Sequence, residues 1–465
     1  MAKQEKKCKN CEKLEKRIAA IESELDELKT YTQKLVAALE KSRRGGKRQA
    51  APFRKEKEKD SEPQKPGRKS GEDHGEHAHR NVPETIDEYY EVPLPKQCDC
   101  CGSEDLTLLD HKREQYQTDV QVTVVTRQFS IEVGKCVCGA TVADRHDLQT
   151  SDATGAAGNQ LGPWCHAAFA VLNKSYGLSY GKIQTLFHEL LNVKTSRGTI
   201  ARSVLRTASR CEPTVAEIKE EVRGSPSVTP DETGWRVQGG SAWLHAFATP
   251  QAVWYEVDAR RNASVIFRLL GENWNGILIH DGWKPYDSMR DATHQQCMAH
   301  LLRRCNELLE TAVGGAARFP LSVKNLLKQG LEARDRYLEG RTSAPTLART
   351  AGKLQSEMEA LVYPERKHED NNRFAWFLHN HLDQLFTYLR NPGLEATNWR
   401  GEQAIRPAVV NRKVWGGNQT WAGASAQGIL TSVIQTCRLK LIDPLKQLRD
   451  TLTARKPTQV PTLER

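Results

Sequence analysis

What the chain lacks narrows the field first. No stretch of its 465 residues approaches the apolar length of a membrane-spanning helix, which needs roughly 18 to 20 residues. A membrane partner is therefore excluded. The opening Met-Ala-Lys-Gln-Glu-Lys-Lys carries no apolar signal segment, so a reducing, cytoplasmic and nucleoid-associated setting is expected. Twelve cysteines in so large a chain then point away from a disulfide scaffold. Walker-type loops, nucleophile elbows and dinucleotide fingerprints are all missing, which leaves nucleotide hydrolysis without support.

Length and charge are informative in turn. The chain is too long for one ordinary core, so a multidomain α/β protein is expected. Its net charge of +10 is uneven: residues 41–70 hold 12 Lys or Arg against 4 acids, among Gly, Pro and Gln. Such a segment reads as a basic arm that releases counterions from DNA, against the plainer reading of a solubilising linker. Within it, Pro66-Gly67-Arg68-Lys69 suits the narrow minor groove of A·T-rich DNA. The nearby His74, His77 and His79 read as solvated.

Four heptads precede the arm, with Leu14, Ile21, Leu28 and Leu35 at one seam position and Ile18, Leu25, Thr32 and Leu39 at the other. They predict a coiled coil over residues 1–44 and hence a homodimer or higher oligomer. Cys8 and Cys11 form an isolated pair there. After a linker over 45–92, a module over 93–147 combines strand-like runs at Val120–Val125 and Phe129–Val133 with Cys98, Cys100, Cys101-Gly102, Cys136 and Cys138-Gly139. Two cysteine turns suit one structural Zn²⁺, with Cys98, Cys101, Cys136 and Cys138 as ligands and one cysteine surplus; reduced structural cysteines are the alternative. Residues 155–222 read as helices capped by Ser179 and Ser196, the first with Ile183, Leu186, Phe187 and Leu190 on its apolar face. The second carries Ile200, Val204 and Leu205 inward and exposes Arg197, Thr199, Arg202 and Arg206. That is a helix-turn-helix-like pattern, with Arg197, Arg202 and Arg206 as candidate DNA contacts.

From residue 225 to about 450 the texture alternates between strand and helix. A hairpin is expected over Trp243–Thr249 and Ala252–Asp258, then a helix from about Asn262 and a buried strand ending at His280. Asp281 follows that strand, and Asp231 is expected near a strand end or edge. A helical stretch over about 301–395 comes before Glu402, and an amphipathic helix from Ser425 is expected to stop near Pro444. Singly, an Asp-Gly is a turn and a Glu four residues before an Arg is a surface pair. Together, Asp231, Asp281 and Glu402 are a carboxylate set suited to Mg²⁺ and phosphodiester chemistry. Arg400, Arg406, Arg412 and Lys413 lie on the basic flanks of Glu402, placed to hold phosphates. Cys297-Met298-Ala299-His300 has no complementary pair for zinc, and is expected to pack beneath the site while Arg303 reaches substrate.

These stretches resemble the insertion sequence 66 family, the large subunit of that group's DDE transposases, over nearly the whole chain. The resemblance rests on Ala51-Pro52-Phe53, Pro66-Gly67-Arg68-Lys69-Ser70-Gly71, the cysteine module, Asp231-Glu232-Thr233-Gly234-Trp235, Asp281-Gly282-Trp283 and Cys297-Met298-Ala299-His300 with Arg303. The most specific stretch is Glu402-Gln403-Ala404-Ile405-Arg406-Pro407, continuing to Asn411-Arg412-Lys413. It departs from the family pattern at Trp399, where Asn is frequent, and at Gly401, where a larger residue is usual. The resemblance implies an RNase H-like catalytic domain with triad Asp231, Asp281 and Glu402, a helical insertion, two Mg²⁺ ions and accessory proteins of the same element. It further implies binding of terminal repeats and target DNA, with strand cleavage by water and joining by the freed 3′-hydroxyl. Alternatives are a dimeric, catalytically decayed DNA-binding regulator and a junction or repair nuclease. Residues 451–465 read as a tail.

Overall fold

A computed structural model describes residues 82–149, 152–153, 155, 160–363 and 365–454. The expected coiled coil, most of the basic linker with Arg68 and Lys69, the Cys8–Cys11 pair, the histidine cluster and the end of the tail lie outside the described residues. Two compact units are present, Met1–Asp119 and Val120–Arg465. In the first, the described residues contain turns but no helix or strand.

In the second unit, β1 (Val133–Lys135) and β2 (Thr141–Ala143) form a short antiparallel hairpin. The expected strands at Val120–Val125 and Phe129–Val133 do not form, apart from Val133 itself. The reason is burial: Val120, Val122, Val124 and Val125 are all exposed, and β-branched residues favour a strand when they have a face to pack.

Three helices follow: α1 (Pro163–Lys174), α2 (Tyr180–Leu191) and α3 (Arg197–Arg223). Ser179 accepts the amide of Lys182 and Ser196 that of Thr199, so both serines cap the helices the sequence assigns to them. Ile183 and Phe187 are buried, whereas Leu190, expected on the same face, is exposed. The next element is a five-stranded mixed sheet. β3 (Ser227–Val237), β4 (Gly240–Ala248) and β5 (Val253–Asp258) make an antiparallel meander, α4 (Ser264–Leu270) crosses over, and β6 (Ile277–His280) and β7 (Thr293–Gln296) add in parallel. The spatial order is β5-β4-β3-β6-β7.

Helices α5 (Met298–Thr311), α6 (Arg318–Leu338), α7 (Ala344–Val362), α8 (Glu369–Asn380) and α9 (Thr387–Arg390) then form an excursion. Most of its apolar residues gather in a second hydrophobic cluster, which Ile279 of β6 joins. At its neck the Met298 amide donates to Ala396 O (3.0 Å) and the Asn398 amide to Cys297 Sγ (3.4 Å). The chain returns as α10 (Trp399–Trp415), α11 (Trp421–Leu439) and α12 (Pro444–Thr453). Pro444 does not merely end a helix; it opens α12 at the position where its missing amide costs nothing.

Helices cover both sheet faces. One core joins α1–α4, α11 and α12 to Val228, Phe247, Trp254 and Leu278. The other places α10 against Trp235, Leu244, Ala246 and Tyr255. The outer edge of β5 is closed by α11, whose Thr436 and Ser432 hydroxyls accept the Val253 and Tyr255 amides.

Candidate active site

Strand β3 pairs with β4 along nine positions, from Thr229 to Val237, but with β6 only at Ser227 and Val228. Beyond Val228 the two parallel strands part. Asp231 therefore lies inside a long strand and not at its end, but at a place where that strand has no partner on the β6 side, the edge that the sequence reading also allowed. The Pro230 and Gly234 that disguised the strand fall where the ladder on the β6 side has already stopped. Asp281 is the first residue past β6.

Glu402 comes from the first turn of α10. This helix approaches β3 closely because residue 401 is glycine: a Cβ there would stand 3.0 Å from Pro230 O and 3.1 Å from both Thr229 O and Asp231 Cβ. The glycine that departs from the family pattern thus has a physical reason in this chain. Tyr255 Oη donates to Ala404 O (2.7 Å), and Arg412 bonds Thr233 Oγ1 and the Gly234 carbonyl. Trp235 Nε1 reaches Asn418 Oδ1 at 2.8 Å. Helix α10 is so fastened to the sheet at both ends.

The three acids are near enough to act on one another. Burial, the charges of Glu232 and Asp281, and more weakly that of Glu402, push the Asp231 carboxyl well above the usual carboxylate range, against the Glu232 amide it accepts. Such mutual repulsion is what a cation would relieve, and three carboxylates are a hard-ion donor set. Even so, among the described residues no three or more His, Cys, Asp or Glu side chains gather as a metal-holding group.

Trp283 and Tyr286 are aromatic company that the sequence already sets beside the acids, whereas Glu232, Arg261 and the His280–His294 pair are not singled out by it. Glu232, with its side chain 4% exposed, receives Arg261 (Nε 3.0 Å) and Tyr286 Oη (2.8 Å). Burial raises its pKa while both partners oppose the shift. The Arg261 guanidinium lies over Trp243 at 4.8 Å and Trp283 at 4.6 Å. Behind Asp281, His280 Nδ1 accepts the Gly282 amide (3.1 Å), so Nε2 must carry the proton it gives to His294 Nδ1 (2.9 Å); His294 Nε2 then donates to Met289 O (2.9 Å). Burial drives His280 well below the usual histidine range. The Asp281 turn itself is tied by the Trp283 amide on Asp281 Oδ1 (3.0 Å). The signal available in sequence was composition, a Trp within four residues of each acid and His280 beside Asp281, without any indication of partner.

Cys297 is buried beneath the site, as expected, and His300 Nε2 stands 3.7 Å from Glu402 Oε1. Glu402 is not paired with Arg406. Arg303, Arg406 and Lys413 are exposed, as are Arg197, Arg202 and Arg206 on the amino-terminal half of α3. Arg412 is occupied within the fold.

The cysteine pairs form two separate turns. In the first unit, Gly102 takes positive φ, its amide donates to Cys98 O, and the Cys98 thiol is lowered by the Cys101 and Cys100 amides. In the second, Gly139 repeats this on Cys136, whose thiol the Cys138 amide lowers. Each turn by itself favours a thiolate, but a four-cysteine cluster is not present among the described residues.

Residues 158–426 match the family model described as transposase IS66 family. The chain belongs to that family. Its mixed α/β fold, a sheet with many helices, is consistent with a DDE transposase domain. An uncharacterized protein, y4qI, of Sinorhizobium fredii (strain NBRC 101917 / NGR234) is 26% identical over 298 residues, covering 56% of this chain and 53% of that protein. The chain thus spans about half the length of this curated relative. Among the described residues no helix of this IS66-family chain is long and apolar enough to cross a membrane.

Proposed function

We propose that the chain is a transposase that cuts and joins DNA at Asp231, Asp281 and Glu402, on an RNase H-like sheet with α5–α9 as a helical insertion. The observation that carries this reading is the fork between β3 and β6, where two acids from diverging parallel strands meet a third delivered by α10 over Gly401. The spatial order β5-β4-β3-β6-β7 supports the fold assignment.

Asp231, Asp281 and Glu402 would hold Mg²⁺, which when bound supplies activation of the attacking oxygen and stabilisation of the leaving one. The chain's own residues set the geometry. The His280–His294 pair fixes the Asp281 turn, and Glu232 with Tyr286 and Arg261 forms the wall behind Asp231. His300 stands beside Glu402, with Nε2 3.7 Å from Oε1. Exposed Arg197, Arg202, Arg206, Arg303, Arg406 and Lys413 supply phosphate contacts, as do Arg68 and Lys69 from the basic arm. A coiled coil over residues 1–44 would pair subunits so that two ends are handled together. A structural Zn²⁺ on the cysteines is part of this reading, and metal analysis of the protein against Cys98→Ser and Cys136→Ser checks it.

The test is nicking of supercoiled plasmid in Mg²⁺ or Mn²⁺ by wild type, Asp231→Asn, Asp281→Asn and Glu402→Gln. Nicking by wild type alone is the expected result. Equal nicking by the three variants would remove these acids from the chemistry. DNA binding by all four proteins without cutting, once element ends are supplied, would favour a catalytically decayed regulator.

A further inference from the structure

A cavity of about 310 Å³ lies beside the acids without including any of them. Thr229 and Ile279 line it, two residues before Asp231 and Asp281 along β3 and β6, and Arg400 joins them from the first turn of α10. On a strand, a step of two residues keeps the same face. The cavity is therefore the continuation of the acidic face toward the amino ends of β3 and β6, roughly 7 Å along the strands.

Its lining has a definite chemistry. Ile277, Ile279 and Leu394 contribute apolar wall, while Ser227 and Thr229 bring hydroxyls for which no hydrogen bond to a described residue is formed. Asn391 spends its amide on Thr387 O (3.0 Å) and keeps Oδ1 free. Arg400, stacked over Trp399 at 4.5 Å, is held by Glu395 (3.4 Å) at the rim. Apolar wall with a few hydrogen-bonding groups at this volume suits a small ligand with an apolar face and a polar edge. A duplex is far too wide for this volume.

We propose that the cavity receives one unpaired nucleobase of the strand next to the bond being cut, splayed out of its stack. The inference rests on the assignment of Asp231, Asp281 and Glu402 as the cutting site. A base turned out here frees the adjoining phosphate from duplex geometry and draws it toward the three acids. Ser227, Thr229 and Asn391 would meet the base edge, and Ile277 and Ile279 its face.

The test measures binding of the full chain, in Ca²⁺, to a short duplex of arbitrary sequence ending in one unpaired thymine, and to the same duplex with an abasic residue there. Wild type is expected to prefer the base by about tenfold. Asn391→Trp, which fills the cavity, should bring that ratio near one, and the nearly isosteric Thr229→Val should lower it several-fold. Because the ratio is read within one protein, a general loss of affinity does not imitate the effect. A wild-type ratio near one, or an Asn391→Trp ratio equal to wild type, overturns the proposal. If the ratio behaves as expected while Asp231→Asn nicks plasmid normally, the cutting-site assignment falls and the base-binding cavity stands apart from it.

Discussion

Replacing Gly401 by alanine sets two familiar effects against each other. In a helix the added methyl favours the helical state by up to roughly 1 kcal/mol, and by less in a first turn such as this one. Here it would meet Pro230 O at 3.0 Å and Thr229 O and Asp231 Cβ at 3.1 Å. Carbon contacts are comfortable at about 3.5–4.0 Å, so α10 must retreat by roughly 0.5 Å. The obstructing atoms are mainly backbone of a strand already hydrogen-bonded to β4, and cannot yield as a side-chain tip would. Overpacking of this kind costs about 1–3 kcal/mol, leaving a net destabilisation of about 0–2 kcal/mol after the helical gain. The larger consequence falls on Glu402, carried away from Asp231. Since a 1 Å misplacement can cost on the order of 100-fold in rate, Gly401→Ala should nick plasmid about tenfold more slowly with only a small change in melting temperature. Gly352→Ala is the matched control: on the exposed face of α7 a Cβ at 352 meets nothing within 4 Å, so stability should rise by up to about 1 kcal/mol at unchanged activity. Wild-type nicking by Gly401→Ala would refute the claim that this glycine sets the approach of the third acid.

Other outcomes follow from buried charge. Burial lowers the Lys174 ammonium to about 7, so its cost to the fold is complete below that pH and gone above its unfolded value; Lys174→Met should stabilise by about 2–4 kcal/mol near neutrality and by much less in strong alkali, as followed by denaturant melts. Burial, with help from Arg206, holds His166 at about 4, so the neutral ring's contribution is whole above pH 6.5 and drains away as pH falls toward 4. The slope is at most about 1.4 kcal/mol per pH unit, and His166→Asn should flatten the melting-temperature profile in that window. Lys440, with its side chain 1% exposed, gives its ammonium to Glu221 (2.9 Å); Glu221→Ala strands that charge and should cost about 3 kcal/mol, whereas a neutral melt would show that solvent reaches Lys440.

Local signals were readable wherever the cause was local. Ser179 and Ser196 announce helices because capping needs only a side chain and an amide three residues on. The β4–β5 hairpin announces itself by alternation around Pro250-Gln251. Asp231 was legible as a strand end or edge but not as the interior of an eleven-residue strand, because Pro230 and Gly234 interrupt the pattern and only the departure of β6, some fifty residues later in the chain, explains how a strand tolerates them. The run from Val120 to Val125 erred in the opposite sense: its residues favour a strand, but nothing covers them. Partnerships such as Glu232 with Arg261 and Tyr286, or His280 with His294, join residues whose spacing carries no period, so composition could place them near the acids but not pair them.

The neck of the helical insertion has a consequence for how such a chain can change. Met298 and Ala396 are hydrogen-bonded to each other, as are Asn398 and Cys297, so the polypeptide leaves and returns at almost one point. The closure entropy of whatever lies between grows only with the logarithm of its length. Additions or deletions inside α5–α9 are absorbed above the knot, and the register of Asp281 and Glu402 below it is insulated from them. The insertion is thereby free to drift in size and surface while the acids it separates keep their appointment.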